Sequence, residues 1–364
     1  MNRTRPLVSV VVPSFNHGAY IYEAITSVLN QSVEQIEVVV VDDCSTDNSR
    51  QVIRSLSDRR LQAHFLDENV GGAAALNYGI AQTCAPLIAI CNSDDVWVLD
   101  KLEKQLAIMN ELPKVGACFS NVHWIGRDSK GLVINPYSET FSQPNRSREG
   151  WIRFLMENGN ALCHPSVLIR REIYEELGLY NEWLRQVPDL EFWLRVLTRF
   201  DIFVTREMLV SFRWHGDNTS GPTEQVTRRS GNEHLAVLTS FAINAPRDLL
   251  WRSLGFSRAD ANPSEMTLDI VNALLASGGA YAGMLRQVAA VLLIELTASE
   301  VVGDRAKKMV SPESFWGSLS GELGVDMRGI GPGQQVSSTR TADLVRVVLA
   351  RVAFRLGARW IHNR

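Results

Sequence analysis

The feature that most constrains the fold is a regular change of periodicity along the first 110 residues. Short apolar, β-branched runs such as Leu7–Val12 and Ile36–Val41 alternate with segments like Ala19–Asn30, whose apolar residues recur at helical spacing. Strands that are apolar throughout are buried on both faces, which is typical of parallel sheets covered by helices. The sequence therefore predicts an α/β fold with a doubly wound, mostly parallel sheet and helices on both faces.

The pattern also predicts where the chain divides. After about residue 111 the regular alternation stops, although strands are still expected at Val115–Ser120, Val167–Arg170 and Ile202–Val204. Beyond Gly221 the periodicity is almost wholly helical. We therefore expect one domain over residues 1–221, with halves at 1–110 and 111–221, and a helical C-terminal region at 222–364.

Composition excludes several classes of protein. The net charge of −3 gives no basic surface, so we expect no nucleic-acid partner. The five cysteines are odd in number and none has C-x-x-C spacing, which argues against a disulfide framework or structural zinc and favours the cytoplasm. No stretch approaches the roughly 18 apolar residues of a membrane span.

Three polar clusters follow predicted strands: Pro13–Asn16, Asp42–Asp47 and Asn92–Asp95. In open α/β sheets the carboxyl ends of parallel strands meet at one crevice, where ligands bind. Carboxylates placed together there repel one another, and a divalent cation, which prefers oxygen ligands, would offset that repulsion. Each cluster alone is equally explained by a turn or a helix cap, whereas three at one sheet edge favour a functional site.

Motifs of other nucleotide-binding enzymes are missing. The sequence has no G-x-G-x-x-G after a strand and no G-x-x-x-x-G-K-[ST] loop, which argues against a dehydrogenase or a P-loop enzyme. A sugar nucleotidyltransferase would need a glycine-rich loop with Arg and Lys after the first strand, and residues 14–17 lack it.

Five segments in order, at residues 8–16, 39–47, 69–80, 92–97 and 189–195, resemble glycosyltransferase family 2, the inverting enzymes of the GT-A fold. The resemblance covers about residues 7–220. It implies a GT-A-like sheet in which residues 1–110 bind the nucleotide and residues 111–221 bind the acceptor. It also implies transfer of a sugar from a nucleotide-sugar donor, most commonly a UDP-sugar, to a glycan or lipid-linked acceptor in bacterial polysaccharide or glycoconjugate synthesis.

The resemblance also assigns roles to residues. It makes Asp189 the catalytic base, and it assigns Asp94 and His215 to a divalent metal, Mg²⁺ or Mn²⁺. The residues that it assigns to the nucleotide sugar are Pro13, Ser14, Phe15, Asn16, Asp42, Asp43, Asn77, Asn92 and Asp95. Direct displacement at the anomeric carbon, with one base and no covalent intermediate, implies inversion.

The chain departs from the family pattern at three positions. Asn92 replaces the first aspartate of the D-x-D motif, Pro188 replaces an acidic residue before the base, and Leu76 stands where many relatives have arginine. The alternative hypothesis is therefore a catalytically silent GT-A-like module that binds a nucleotide or a glycan. Asp189 can also cap a helix, and His215 can be an ordinary hydrogen-bonded histidine.

The last predicted helix, Thr341–His362, is basic and amphipathic. Arg351, Arg355 and Arg359 lie on the flank of its apolar stripe. Such a helix can lie on an anionic membrane surface or pack against its own domain. We therefore expect a cytoplasmic protein, with peripheral contact at the inner face of the cell membrane through residues 341–362 as one of two hypotheses.

Overall fold

The computed structural model describes residues 5–127, 139–215, 218, 221, 223–258 and 261–297. The chain divides into two compact units, one formed by Met1–Trp151 with Asn160–Ser230 and the other by Ile152–Gly159 with Gly231–Arg364. The predicted domain boundary at residue 221 stays a prediction. The predicted helix over residues 341–362 lies outside the described residues.

Strands and helices alternate through the first unit, as the periodicity predicts. The described strands are β1 (Val8–Ser14), β2 (Ile36–Asp42), β3 (Leu61–Phe65), β4 (Leu87–Ile90), β5 (Val96–Trp97), β6 (Val115–Ile125), β7 (Leu168–Arg170) and β8 (Asp201–Arg213). The described α-helices are α1 (Ile21–Leu29), α2 (Ser49–Ser55), α3 (Gly72–Ala81), α4 (Lys101–Glu111), α5 (Arg148–Asn158), α6 (Arg171–Leu177), α7 (Pro188–Val196), α8 (Glu224–Asn244), α9 (Arg247–Ser253), α10 (Pro263–Leu275) and α11 (Ala282–Thr297).

The strands form one mixed sheet in the order β3-β2-β1-β4-β7-β6-β8-β5. The first four strands in that order pair in parallel, and β6 also pairs in parallel with β8. β7 runs antiparallel to both of its neighbours, and β5 runs antiparallel to β8. The predicted α/β fold is confirmed, and the parallel half places the ends of β1, β2 and β4 at one sheet edge.

Helices cover both faces of the parallel half. Val38 and Val40 of β2 belong to the same core cluster as Ile21, Ile25 and Val28 of α1. Val39 and Val41, which point to the opposite face because side chains alternate along a strand, pack with Ala75 of α3. Burial on both faces explains why β2 is apolar throughout.

Two strands of the first unit differ from the prediction. β8 continues to Arg213 instead of ending near Val204, and β5 was not predicted as a strand. In β8 the exposed residues 206–208 interrupt the apolar pattern, and the register with β6 shifts there. The extension matters because it carries the chain to His215.

The described part of the second unit is helical. α10 packs against α9 and α11, and its residues Ile270, Val271 and Leu274 are buried. Tyr281 stacks on His234, with ring centroids 4.9 Å apart, and their polar atoms lie 3.1 Å apart. Among the described residues, no helix has the length and hydropathy that crossing a bilayer requires.

Gly79 of α3 sets how closely this helix approaches the sheet. A Cβ at Gly79 would lie 2.4 Å from Val11 Cγ1 and 3.1 Å from Val41 Cγ2, whereas one at Gly72 in the same helix would meet nothing within 4 Å. Alanine favours a helix over glycine by about 0.5–1 kcal/mol. Overpacking against stiff, β-branched neighbours costs about 1–3 kcal/mol.

We therefore expect Gly79→Ala to lower the free energy of unfolding by about 1–2 kcal/mol in urea denaturation, because overpacking outweighs helix propensity. Gly72→Ala is the matched control and should leave stability equal or slightly higher. Equal stability of the two variants would contradict the close approach of α3.

Candidate active site

The loops after β1 and β2 are tied together by hydrogen bonds between backbone and side chains. The Asp43 amide donates to the Ser14 carbonyl at 2.8 Å, and the Asn16 amide donates to Ser45 Oγ at 2.9 Å. In return the side-chain oxygen of Asn16 accepts from the Thr46 amide at 2.8 Å. The two predicted clusters therefore form one unit at the sheet edge.

Both loops turn sharply. Asn16 and Cys44 have φ angles of 53° and 60°, in the left-handed region that most side chains avoid. Asparagine adopts this conformation readily, but cysteine does so at a cost on the order of 1–2 kcal/mol. The cross-loop hydrogen bonds hold the backbone in these turns.

His17 connects the loop after β1 with the turn after β4, residues 92–95, which we call the acidic turn. Its Nδ1 lies 2.7 Å from Ser93 Oγ, and its amide donates to Ser49 Oγ at 3.0 Å. Burial lowers the pKa of His17, Asp94 opposes that shift, and His215 adds to it. The imidazole is therefore mainly neutral at pH 7.

Asp94 lies between two histidines. Its Oδ2 is 3.1 Å from His215 Nε2 and 4.0 Å from His17 Nε2, and the Asn218 amide nitrogen lies 3.4 Å from the same oxygen. One ligand atom from each of Asp94, His17 and His215 lies within 4.8 Å of the others. The structure thus brings together the two predicted metal ligands and adds His17.

The buried guanidinium of Arg213 supports the acidic turn from the end of β8. It donates to the Asp94 carbonyl at 2.7 Å and to Glu23 Oε2 at 2.7 Å, and it lies 4.9 Å from the centre of the Tyr20 ring. The Arg213 amide donates to Asp95 Oδ1 at 2.8 Å. Tyr20 in turn stacks on His215, with ring centroids 4.9 Å apart.

Asp189 lies in the first turn of α7, in the half of the unit predicted to bind the acceptor. Its Oδ2 accepts from Asn160 Nδ2 at 2.6 Å, and its Oδ1 accepts from the Leu190 amide at 2.9 Å. Burial raises the pKa of Asp189 to about 6, although these hydrogen bonds favour the charged form. A carboxylate with this pKa is ionised at pH 7 and basic enough to accept a proton.

The charges of both Asp95 and Asp189 affect the buried thiol of Cys163. Burial raises the pKa of Cys163, and the charges of Asp95 and Asp189 raise it further. Both carboxylates therefore lie near Cys163.

Comparison with known proteins decides the family. The description "Glycosyl transferase family 2" belongs to the sequence family that matches residues 9–178. TuaG of Bacillus subtilis, a glycosyltransferase provisionally assigned to teichuronic acid biosynthesis, is 33% identical over 219 residues, which are 58% of this chain and 81% of TuaG. The chain belongs to glycosyl transferase family 2.

Other comparisons agree. An uncharacterised glycosyltransferase of Rickettsia typhi is 28% identical over 60% of this chain and 67% of its own length. The crystal structure of S. aureus TarS 1–349 in complex with UDP-GlcNAc superposes with a TM-score of 0.54 at 18% identity, over 78% of this chain and 86% of the TarS 1–349 chain. That likeness shows the GT-A-like fold of this glycosyltransferase.

Several residues predicted to bind the donor form hydrogen bonds with other residues of the glycosyltransferase. Asp42 is fully buried, and its Oδ1 accepts from Arg50 Nε at 2.6 Å and from the Ser45 amide. Asp43 accepts from the amides of Val70 and Gly71, one on each oxygen. Asp42 is therefore held within the protein, and its predicted contact with the donor stays a prediction.

Asp95 and Asn77 also have internal partners. Asp95 is 1% exposed, its Oδ2 accepts from Asn92 Nδ2 at 3.1 Å, and burial together with the charge of Asp94 raises its pKa well above the usual range. Asn77 binds the backbone of Tyr180 and the carboxylate of Glu182. Both residues hold neighbouring segments in place, which their sequence motifs alone did not indicate.

An open groove of about 690 Å³ lies beside Asp43. Its lining residues are Leu66, Glu68, Asn69, Val70, Ala74, Asn77, Tyr78 and Glu182. Phe15 is 43% exposed, whereas Ser14 is buried and its Oγ has no hydrogen-bond partner among the described residues. Pro13 is partly buried in the same loop.

Sequence reasoning missed His17 and Asn160. The sequence contained both, His17 directly after the nucleotide loop and Asn160 in the segment before β7, but nothing in their spacing linked them to Asp94 or Asp189. Burial lowers the pKa of His164 to about 4, and its Nε2 lies 3.0 Å from the Tyr180 hydroxyl.

We expect Arg213→Lys to lower the free energy of unfolding by about 2–4 kcal/mol, because an ammonium cannot bridge the same partners in a buried site. The measurement is denaturant unfolding followed by tryptophan fluorescence. Arg228→Lys is the matched control, since its ion pair with Glu224 is largely exposed, and it should cause no measurable change. A similar small effect of both substitutions would show that Arg213 does not hold the acidic turn.

Proposed function

We propose that this glycosyltransferase moves a sugar, with inversion, from a nucleotide-sugar donor to an acceptor hydroxyl in a reaction that depends on a divalent metal ion. The observation that carries the proposal is the Asp189 carboxylate, whose pKa is raised to about 6 by burial and which Asn160 holds in place. Family membership supports sugar transfer, and the carboxylate supplies a group suited to a single displacement.

The proposed reaction has one step. The acceptor oxygen attacks the anomeric carbon while its proton passes to Asp189, and the bond from that carbon to the diphosphate oxygen breaks with its electron pair going to the leaving group. A positioned general base contributes about 10²–10⁴-fold to rate. Attack from the face opposite to the leaving group inverts the configuration.

Asp94 and His215 would hold the metal ion, Mg²⁺ or Mn²⁺. Their donor atoms are 3.1 Å apart and largely buried, a separation that suits two ligands of one ion. Such an ion acts as a Lewis acid that offsets negative charge developing on the departing diphosphate. The acidic turn and Arg213 would keep Asp94 oriented for this role.

The donor would bind across the loops at the sheet edge. A UDP-sugar is supported by S. aureus TarS, whose structures hold UDP-GlcNAc and UDP. The exposed Phe15 ring and the groove beside Asp43 are suited to a nucleoside, and Pro13, Ser14, Asn16, Asn92 and Asp95 remain proposals for this site. Asp42 and Asn77 would act by shaping it.

The acceptor would be a glycan or a lipid-linked saccharide. The provisional assignment of TuaG to teichuronic acid biosynthesis supports a role in bacterial polysaccharide synthesis. A cytoplasmic location follows as part of the proposal, because nucleotide sugars are made there. Contact with the inner face of the membrane through residues 341–362 stays a prediction.

We expect Asp189→Asn to lower the release of UDP from a UDP-sugar by about 10²-fold or more, because the amide cannot accept the proton. A panel of UDP-, GDP- and dTDP-sugars with Mn²⁺ would first identify the donor. Calorimetry should then show donor affinity within about threefold of the original, since Asp189 takes part in chemistry more than in ground-state binding.

Asn181→Ala is the control, because the Asn181 side chain binds only the nearby Trp183 amide among its described hydrogen bonds. Donor binding without any turnover in the original protein would favour the catalytically silent module, whereas equal turnover in Asp189→Asn would show that Asp189 is not the base.

The pH profile should also report Asp189. As pH falls through about 6 the carboxylate gains a proton and loses its function as a base, so kcat/KM should decline on the acid side. Asn160→Ala removes a hydrogen bond that favours the charged form, so the pKa and the acid limb should move to higher pH.

Asn158→Ala is the matched control, because that side chain donates to the Phe154 carbonyl, and it should leave the limb in place. A limb that does not move in Asn160→Ala would belong to another group, such as an imidazole of the ion site.

A further inference from the structure

We propose that His17 is a third protein ligand of the divalent ion, so that two imidazoles and one carboxylate hold it and favour Mn²⁺ or a similar transition-metal ion over Mg²⁺. This inference rests on the ion site of the proposed function, but not on sugar transfer. The family resemblance assigned Asp94 and His215 alone, and His17 enters only through the geometry.

The separations are close to those of ligands that share one ion. Two ligands at about 2.1 Å from an octahedral ion lie roughly 3 Å apart when adjacent and roughly 4.2 Å apart when opposite. Asp94 Oδ2 lies 3.1 Å from His215 Nε2 and 4.0 Å from His17 Nε2, and all three donor atoms lie within 4.8 Å of one another. Small side-chain movements would bring all three into coordination.

His17 is oriented as a ligand would be. Its Nδ1 lies 2.7 Å from Ser93 Oγ, and Ser93 is buried in the acidic turn next to Asp94. When Nδ1 carries the proton and donates it to Ser93, the Nε2 lone pair is available on the side of Asp94. Metal-binding histidines nearly always have such a partner on the other ring nitrogen, and removing it typically weakens metal binding about 10–100-fold.

The second imidazole is also held in place. Tyr20 stacks on the His215 ring, and the His17 and His215 rings meet edge to face with centroids 5.7 Å apart. The Arg213 guanidinium lies against the Tyr20 ring, which is the ring stacked on His215. The three donors are therefore presented by packed residues from the β1 loop, the acidic turn and the end of β8.

This donor set discriminates between metals. Mg²⁺ prefers oxygen ligands and is usually bound through one or two carboxylates and phosphates. Imidazole suits transition-metal ions, and a site with two imidazoles and one carboxylate leaves further positions open. Asn92, in place of the first aspartate of the motif, offers a neutral amide oxygen instead of a carboxylate.

The test measures metal binding without any sugar donor. Mn²⁺ is titrated into the full chain and followed by electron paramagnetic resonance, with Mg²⁺ as competitor, for the original protein, His17→Gln, Ser93→Ala and the control His64→Gln. Electron spin-echo modulation then counts the imidazole nitrogens coupled to bound Mn²⁺. Thermal unfolding checks that each variant is folded.

We expect the original protein to bind Mn²⁺ at least tenfold more tightly than Mg²⁺, with two coupled imidazoles. His17→Gln should lose one coupled imidazole and about 10–100-fold in Mn²⁺ affinity, and Ser93→Ala should lose affinity while keeping both imidazoles. His64→Gln should match the original protein. His17→Asp should bring the affinities for Mg²⁺ and Mn²⁺ closer together.

Several results would overturn the inference. These are a single coupled imidazole in the original protein, an unchanged Mn²⁺ affinity in a folded His17→Gln, or no binding of Mn²⁺ at all. None depends on turnover, so an enzyme that binds Mn²⁺ through His17 but transfers no sugar would refute only the proposed function.

Discussion

The buried guanidinium of Arg213 is the interaction on which the rest of the candidate site depends. A charge taken out of water costs several kcal/mol unless its partners satisfy it. Here the partners come from the acidic turn and α1, at Asp94 and Glu23, while the Arg213 amide binds Asp95. These contacts hold the end of β8 against the acidic turn. His215, two residues further along, is thereby placed beside the Asp94 carboxylate.

The carboxylates at the sheet edge divide into two groups with different physical roles. Asp42 forms an ion pair with Arg50, Asp43 accepts hydrogen bonds from two backbone amides, and burial together with the charge of Asp94 shifts Asp95 toward its uncharged form. Internal contacts therefore stabilise Asp42 and Asp43 in place of the cation that the sequence had suggested, whereas Asp94 and Asp95 still repel each other. Asp94 differs because its neighbours are imidazoles, which are themselves metal ligands. Of the four carboxylates at this edge, Asp94 is therefore the one at which we expect a cation.

The sequence predicted the parallel half of the fold well because its information there is local. Buried parallel strands and amphipathic helices each carry their own periodicity, as β2 and α1 do, and right-handed crossovers leave few ways to join them. β5 and the end of β8 could not be predicted, since both are strands through pairing with distant residues: Val96 pairs with Ser211, and the end of β8 also pairs with β6. The assignments of Asp94, His215 and Asp189 came from the resemblance. In contrast, His17 lies 77 residues before its partner Asp94, and Asn160 lies 29 residues before its partner Asp189. Neither distance leaves a periodic signal.

The segment from Asn160 to Ser166 connects the proposed base with the proposed ion site within the first unit. Its first residue orients Asp189, and the Pro165 carbonyl accepts from the Trp97 indole at 3.1 Å, directly after the acidic turn. Cys163 lies between Asn160 and Pro165 in the sequence. Its thiol is buried, and the charges of both Asp189 and Asp95 raise its pKa. Hydrogen bonds inside the chain therefore attach this segment both to Asp189 and to Trp97. Such fixed geometry is what a direct displacement requires, because its rate depends on holding attacking and leaving groups in line and on dipoles already oriented toward the developing charge.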